Sequence, residues 1–223
     1  MNHDDYRHNA SDPNPLPARP DLGAAVTPLR LIFWGGLICI LDIKINGFDL
    51  LNDTVGTILI AVGVFRLASF QVSPSYKSML TFAQVISLLA ILRSVLMQVT
   101  GLPHALGIFG AIVGLLDLAA IVCFCMAMQL LCRHASVEAC ARSWKTTTIL
   151  FIAIYLIPLG IVYAVGLVSI VANAHFNKQF GPWALLLLPV FFAPLIHLFV
   201  STSRMKRQAQ AVAAVDTSPP RFE

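Results

Sequence analysis

The residues best placed to do chemistry in this sequence are ionisable side chains inside apolar stretches. Asp117 lies near the middle of an apolar run over 106–131, and Arg93 lies within the preceding run over 79–99. A carboxylate at bilayer depth is costly unless it faces protein or water, or is neutral. Arg93 and Asp117 therefore predict either a salt bridge that fixes helix pairing or a proton or solute site on a membrane pathway.

The spacing of the two runs predicts that these side chains meet. Only a short segment joins the runs, so they should form an antiparallel hairpin. At about 1.5 Å of rise per residue, Arg93 lies roughly 10 Å and Asp117 roughly 17 Å below the shared outer end of the hairpin. An arginine side chain can bridge most of that difference.

Three glycines precede Asp117 at helical spacing. Gly107, Gly110 and Gly114 fall within about 80° of Asp117 around a helix. Gly110 and Gly114 have the GxxxG spacing, which allows another backbone to approach closely. We therefore predict a helix-packing face that carries Asp117 towards protein and not towards lipid.

A second acidic group lies between two shorter apolar runs, 29–45 and 54–70. Asp42, Asp49 and Asp53 are available there either as an outer turn with a helix N-cap or as an outward-facing cation site of oxygen ligands. The turn is the preferred interpretation, because no glycine-rich ligand loop accompanies the carboxylates.

Further candidate ligands do not match known metal patterns. Cys132 and Cys140 flank His134 and Glu138, but their spacing fits no common zinc motif and predicts a solvated loop. His197 is interpreted as a hydrogen-bonded packing residue. The sequence predicts no metal site and no cofactor.

The elements that hold these residues are membrane helices. Hydrophobic residues make up 57% of the chain and charged residues only 12%. Runs near 20 apolar residues can cross the roughly 30 Å hydrocarbon core as helices. We predict an all-α, polytopic bundle of six spans, with four spans and a re-entrant hairpin over 29–70 as the alternative. The six runs are 29–45, 54–70, 79–99, 106–131, 147–172 and 183–202.

Polar segments flank this helical domain, which is predicted over 29–202. Residues 1–28 are expected to be a disordered N-terminal tail, and 203–223 a basic, largely disordered C-terminal tail. With six crossings, twelve of the 15 lysines and arginines fall on the side of both termini, which places that side in the cytoplasm. The net charge of +4 is accounted for by the cytoplasmic loops and by attraction to anionic lipid, so nucleic acid is not an expected partner.

The stretch over 42–67 resembles a segment of small bacterial multi-pass membrane proteins of unknown function. In those proteins an acidic turn leads into an apolar helix, and seven residues here occupy the matching places, although Asn52 replaces an expected proline and Thr57 an expected tyrosine. The resemblance implies a bacterial inner-membrane setting. The matching residues are Asp49, Leu51, Asp53, Gly56, Ile58, Leu59 and Ile60.

Three functions are compatible with these features. The first is a non-enzymatic membrane component that acts through helix packing, with the lipid bilayer and either further copies of itself or another membrane protein as partners. The second is a small-solute or ion transporter or channel with Asp117 and Arg93 in its pathway, for which a polar cavity reaching Asp117 would be diagnostic. The third is an intramembrane enzyme acting on lipid through Asp117 and His197. No sequence motif of a soluble enzyme is present.

Overall fold

The computed structural model describes residues 22–40, 44–45, 48–49, 53–100, 107–171 and 184–216. In that part of the chain the fold is all-α, as predicted, apart from one pair of two-residue strands. The helices are α1 (Leu22–Ile40), α2 (Asp53–Ala68), α3 (Pro74–Thr100), α4 (Gly107–His134), α5 (Glu138–Phe151), α6 (Ile157–Val171) and α7 (Ala184–Asp216). The strands β1 (Lys44–Ile45) and β2 (Phe48–Asp49) pair antiparallel between α1 and α2.

The helices form a closed ring. Each helical rod packs against its neighbours in the chain, and α7 returns to pack against α1. Helices α5 and α6 count as one rod, because a π-helical segment over Ile152–Leu156 joins them. Across the described residues no helix packs against one on the far side of the ring, so the centre is free to hold a cavity.

One end of the ring is filled by a dense apolar cluster, which we call the packed end. It brings together Ala25 near the start of α1, Ala209 near the end of α7, and the turns that join α2 to α3 and α4 to α5. Tyr76 is fully buried there, and its hydroxyl donates to the carbonyl of Leu67 at 2.8 Å. Ser73 and Pro74 start α3, since the Ser73 hydroxyl accepts a hydrogen bond from the Tyr76 amide.

The α4–α5 turn is a Schellman motif. Val137 N–H donates to Cys132 C=O at 2.9 Å, and Ser136 N–H donates to Arg133 C=O at 3.0 Å. Ser136 adopts the left-handed conformation that this motif requires, with φ of 60°. The turn therefore folds α5 tightly back along α4.

Helices α1 and α2 pack closely through glycine. A Cβ atom placed on Gly35 would lie 2.6 Å from the carbonyl oxygen of Gly56, and one placed on Gly63 would lie 2.7 Å from that of Pro28. No real side chain tolerates such contacts with backbone, so only glycine permits this approach.

The π-helical segment has a local cause. Pro158 has no N–H to donate to Ile154, and its ring would crowd that carbonyl in a regular helix. The wider turn over Ile152–Leu156 directly precedes this proline. A proline inside a helix is expected to kink it, and at Pro158 the distortion takes this form.

Both predicted domain boundaries need correction. Helix α1 begins at Leu22, so the last part of the predicted 1–28 tail is helical, because Ala25 and Leu29 pack into the cluster at the packed end. Helix α7 continues to Asp216 and not only to residue 202, because Met205 and Ala209 are buried on one face. The predicted disorder of 1–21 and 217–223 lies outside the described residues.

Three helical stretches are long and apolar enough to cross a membrane: Pro74–Leu96, Ile112–His134 and Glu138–Val165. Two shorter apolar helices, Gly23–Cys39 and Thr54–Ala68, form the glycine-packed pair. At about 1.5 Å per residue, α1 and α2 are roughly 28 Å and 24 Å long, slightly less than the hydrocarbon core of roughly 30 Å. The count of six crossings stays a prediction.

Candidate functional site

Arg93 and Asp117 form an ion pair between α3 and α4. Nη1 of Arg93 lies 3.3 Å from Oδ2 of Asp117, which confirms the predicted contact. The pair is only half-buried, with 44% of the Arg93 side chain and 30% of the Asp117 side chain exposed. The contact described runs through one nitrogen and one carboxylate oxygen, so it is weaker than a bidentate arginine–carboxylate pair.

Asp117 lies on the wall of a central cavity of about 300 Å³. Side chains of α1, α2, α3, α4, α5 and α7 line this cavity, as expected for the interior of the helix ring. Val64, Ala83 and Phe124 belong both to the cavity wall and to the cluster at the packed end. That cluster is therefore the floor of the cavity.

The cavity is apolar apart from a few groups. Asp117 is the charged residue in its described lining, and Thr57 and Ser87 are among the hydroxyl residues there. Both hydroxyls donate to backbone carbonyls of their own helices, of Thr54 at 3.0 Å and of Gln84 at 2.8 Å. The transporter or channel hypothesis predicts a polar cavity at Asp117, whereas the described lining is apolar with a single carboxylate on its wall, so that diagnostic feature is not found among the described residues.

The predicted glycine face is described only at Gly114. A Cβ atom placed there would meet the Tyr163 hydroxyl of α6 at 3.9 Å, which is an ordinary contact. Gly114 thus faces a helix of the same chain without a close backbone approach. The surroundings of Gly107 and Gly110 lie outside the described residues, although both belong to α4.

Of the three outer acidic residues, the structure places the backbone of Asp49 and Asp53, and the choice between a turn and a cation site stays a prediction. Asp49 belongs to β2 and Asp53 begins α2. Asp42, and the side chains of all three aspartates, lie outside the described residues. Among the residues that are described, no group of three or more histidine, cysteine, aspartate or glutamate side chains is placed to hold a metal ion.

His197 is hydrogen-bonded within the bundle, as predicted. Its Nδ1 lies 2.9 Å from Oγ1 of Thr147 and 3.3 Å from Oγ of Ser201. Oγ of Ser201 also lies 2.8 Å from the hydroxyl oxygens of Thr147 and Ser143. These four residues form a polar network between α5 and α7, and His197 is not in the cavity lining that contains Asp117.

Cys132 and Cys140 do not lie in a solvated loop, and that prediction is wrong. Both are almost completely buried, with their sulfur atoms 2.9 Å apart. The reason is the Schellman turn, which lays the start of α5 against the end of α4.

Sequence inspection missed two features that shape the site. The close α1–α2 contact had a visible signal in Gly56 and Gly63, which are seven residues apart and therefore share a helix face. The network of Ser143, Thr147 and Ser201 had a weaker signal in the sequence. Hydroxyl residues at helical spacing are also common where each one bonds only to the backbone of its own helix, so the spacing alone does not indicate a network.

Comparison of the chain with protein-family models, with curated proteins and with solved structures finds no match.

Proposed function

We propose that this protein is a small-solute transporter of the bacterial inner membrane, and that it binds in its central cavity a largely apolar solute with a cationic or hydrogen-bond-donating group. The observation that carries this proposal is the placement of Asp117 on the wall of an apolar cavity inside a closed helix ring. A chain that acted only through helix packing would have no need of this internal space. The location in a membrane is supported by three helices that are long and apolar enough to cross one.

The side chains that line the cavity indicate the chemical class of the solute. Its apolar walls favour an apolar body through the hydrophobic effect. Oδ2 of Asp117 contacts Arg93, and a carboxylate has two oxygens with several acceptor positions, so Asp117 has the capacity to accept from a solute group as well. A bare inorganic ion would gain too little from such walls to offset its lost hydration.

The orientation is supported by charge. Nine of the ten lysines and arginines whose side chains are described lie exposed around the packed end, and Arg93 is the tenth. By the positive-inside rule the packed end is cytoplasmic, together with both termini, so the floor of the cavity closes it on that side. The nine are Arg30, Arg66, Lys77, Arg133, Arg142, Lys145, Arg204, Lys206 and Arg207.

Solute binding is tested by thermal unfolding of the full chain in detergent with two probes of equal shape, phenyltrimethylammonium and its neutral isostere tert-butylbenzene. A ligand that binds only the folded state raises the melting temperature. We expect the cation to stabilise wild type more than the neutral probe does, and Asp117→Asn to lose that difference.

A cavity-filling variant separates binding from folding. A Cβ atom at Gly36, which lines the cavity, would meet nothing within 4 Å, and the same is true of Gly160 on α6, which is not in the lining. Gly36→Leu should abolish the response to both probes, whereas Gly160→Leu should keep it. If neither probe shifts wild type, or if Gly36→Leu responds as wild type does, the cavity is not a solute site.

Transport is tested separately, by uptake of phenyltrimethylammonium into proteoliposomes. Wild type and Gly160→Leu should accumulate the probe faster than empty vesicles, and Gly36→Leu should not. Binding without uptake would make the protein a membrane receptor for such solutes and would refute the transport step alone.

A further inference from the structure

Three sulfur atoms meet at the packed end. Sγ of Cys132, near the end of α4, lies 2.9 Å from Sγ of Cys140, near the start of α5, and 3.9 Å from Sδ of Met205 on α7. All three residues are at most 1% exposed. The cluster therefore joins three rods of the ring, below the floor of the cavity.

Two donor groups lie close to the Cys140 sulfur along the chain. Cys132 donates its S–H towards that sulfur. Trp144 lies one helical turn further along α5, fully buried, and its indole N–H has no hydrogen-bond partner in the described part of the chain. A buried N–H without a partner is costly, and a negatively charged sulfur ligand beside it would accept the hydrogen bond.

We propose that Cys132, Cys140 and Met205 form a binding site for one Cu(I) ion, with two thiolates and one thioether as ligands. Soft sulfur donors select Cu(I) over hard cations, and the apolar surroundings exclude the water that would compete. This site is distinct from the proposed solute cavity and does not depend on it.

The binding step balances without any redox change. One Cu(I) ion replaces the two thiol protons, which are released to solvent, and no electron is transferred. The two cysteine sulfurs must move apart, since metal–sulfur bonds of roughly 2.3 Å at a wide angle need a larger separation than 2.9 Å. The resulting site carries one negative charge, which the exposed Arg133 of α4 and Arg142 of α5 help to offset.

Zinc fits the site less well. Structural zinc takes four ligands, usually cysteine and histidine. His134 lies on the same turn, but its Nδ1 contacts the carbonyl of Leu130 at 2.9 Å and its side chain is exposed. The three sulfurs alone match the low coordination number of Cu(I).

The test is a competition for Cu(I) between bicinchoninate and the reduced, full-length protein in detergent under anaerobic conditions. Wild type should withdraw one equivalent of Cu(I) per chain. Cys132→Ser and Cys140→Ser should lose this uptake, and Met205→Leu, which conserves volume, should weaken it at least tenfold while keeping the wild-type melting temperature. Cys39→Ser and Cys123→Ser are the matched controls and should bind as wild type does.

The proposal is overturned if wild type fails to compete with bicinchoninate for Cu(I). It is also overturned if the double variant Cys132→Ser/Cys140→Ser takes up as much Cu(I) as wild type does. If the reduced protein takes up no Cu(I) but loses two hydrogen masses on mild oxidation, the cysteines are a disulfide pair and not a metal site.

Discussion

At the scale of single residues, Thr147 is the junction of the polar contacts between α5 and α7. It is fully buried, its hydroxyl donates to the carbonyl of Ser143 at 3.1 Å, and its oxygen lies within hydrogen-bond distance of Ser201 and His197. Since the hydrogen on Thr147 is committed to a backbone carbonyl, the threonine oxygen acts as the acceptor for its neighbours. One hydroxyl thus serves three partners in an apolar setting, where unpaired polar groups are costly.

Thr147→Val keeps the shape of the side chain but removes this junction. We expect a loss of about 1–3 kcal/mol in the free energy of unfolding, because buried partners are left unsatisfied. Thr146→Val is the control, since Thr146 is exposed and its hydroxyl donates to the backbone carbonyl of Arg142 on its own helix. The measurement is the melting temperature of each purified variant. If Thr147→Val and Thr146→Val lower it equally, the buried network contributes no more to stability than an exposed hydroxyl does.

At the scale of elements, the two shorter apolar helices, α1 and α2, pack through close backbone contacts at glycine. Two short helices present little surface to each other, and close backbone approach compensates by increasing dispersion contact along the pair. The glycines therefore stabilise the association of α1 with α2, two helices whose short length alone would give a weak pairing.

Adjacent glycines in α1 allow this role to be tested. Gly35→Ala places a methyl group 2.6 Å from the Gly56 carbonyl oxygen, whereas Gly36→Ala points into open space. Overpacking at Gly35 should destabilise the protein by about 1–3 kcal/mol, and Gly36→Ala should be neutral or slightly stabilising because alanine favours the helix. Thermal unfolding of the two variants side by side measures the difference, and a Gly35→Ala protein as stable as wild type would exclude a tight α1–α2 contact.

Elements and sites differ in how far the sequence determines them. Each apolar run coincides with a helix, although α1 and α7 extend beyond the ends of their runs. Loop length and helical rise suffice to pair Arg93 with Asp117, since both are local properties of the chain. The α1–α2 contact depends on the backbone of a partner helix, and the burial of Cys132 and Cys140 depends on Ser136 accepting a left-handed conformation. Neither the position of a partner helix's backbone nor the left-handed conformation of Ser136 can be predicted from residue type alone.

At the scale of the whole molecule, the ring is polarised. The packed end combines the densest apolar cluster with nine exposed cations, whereas the described part of the remaining ring carries the Arg93–Asp117 pair. In the proposed orientation, the nine cations face the anionic cytoplasmic surface of the membrane.

Accessibility to a membrane-impermeant maleimide tests both the orientation and the number of crossings. In spheroplasts, Asn46→Cys should react, whereas Ala10→Cys and Ser218→Cys should react only after permeabilisation. The wild-type chain gives the background from its own five cysteines. Protection of Asn46→Cys in intact spheroplasts would mean that 29–70 does not cross the membrane, which leaves the four-span alternative.

The contact between α1 and α7 has a consequence for biosynthesis. Helices emerge from the ribosome in chain order, so α1 lacks its contact with α7 until the last helix has been synthesised. Until then the ring of helices is open between α1 and α6. Until α7 arrives, the side of α4 that bears Asp117 has no enclosure and is exposed to lipid at an energetic cost. We therefore expect a chain that stops short of α7 to be degraded by membrane proteases faster than the complete chain.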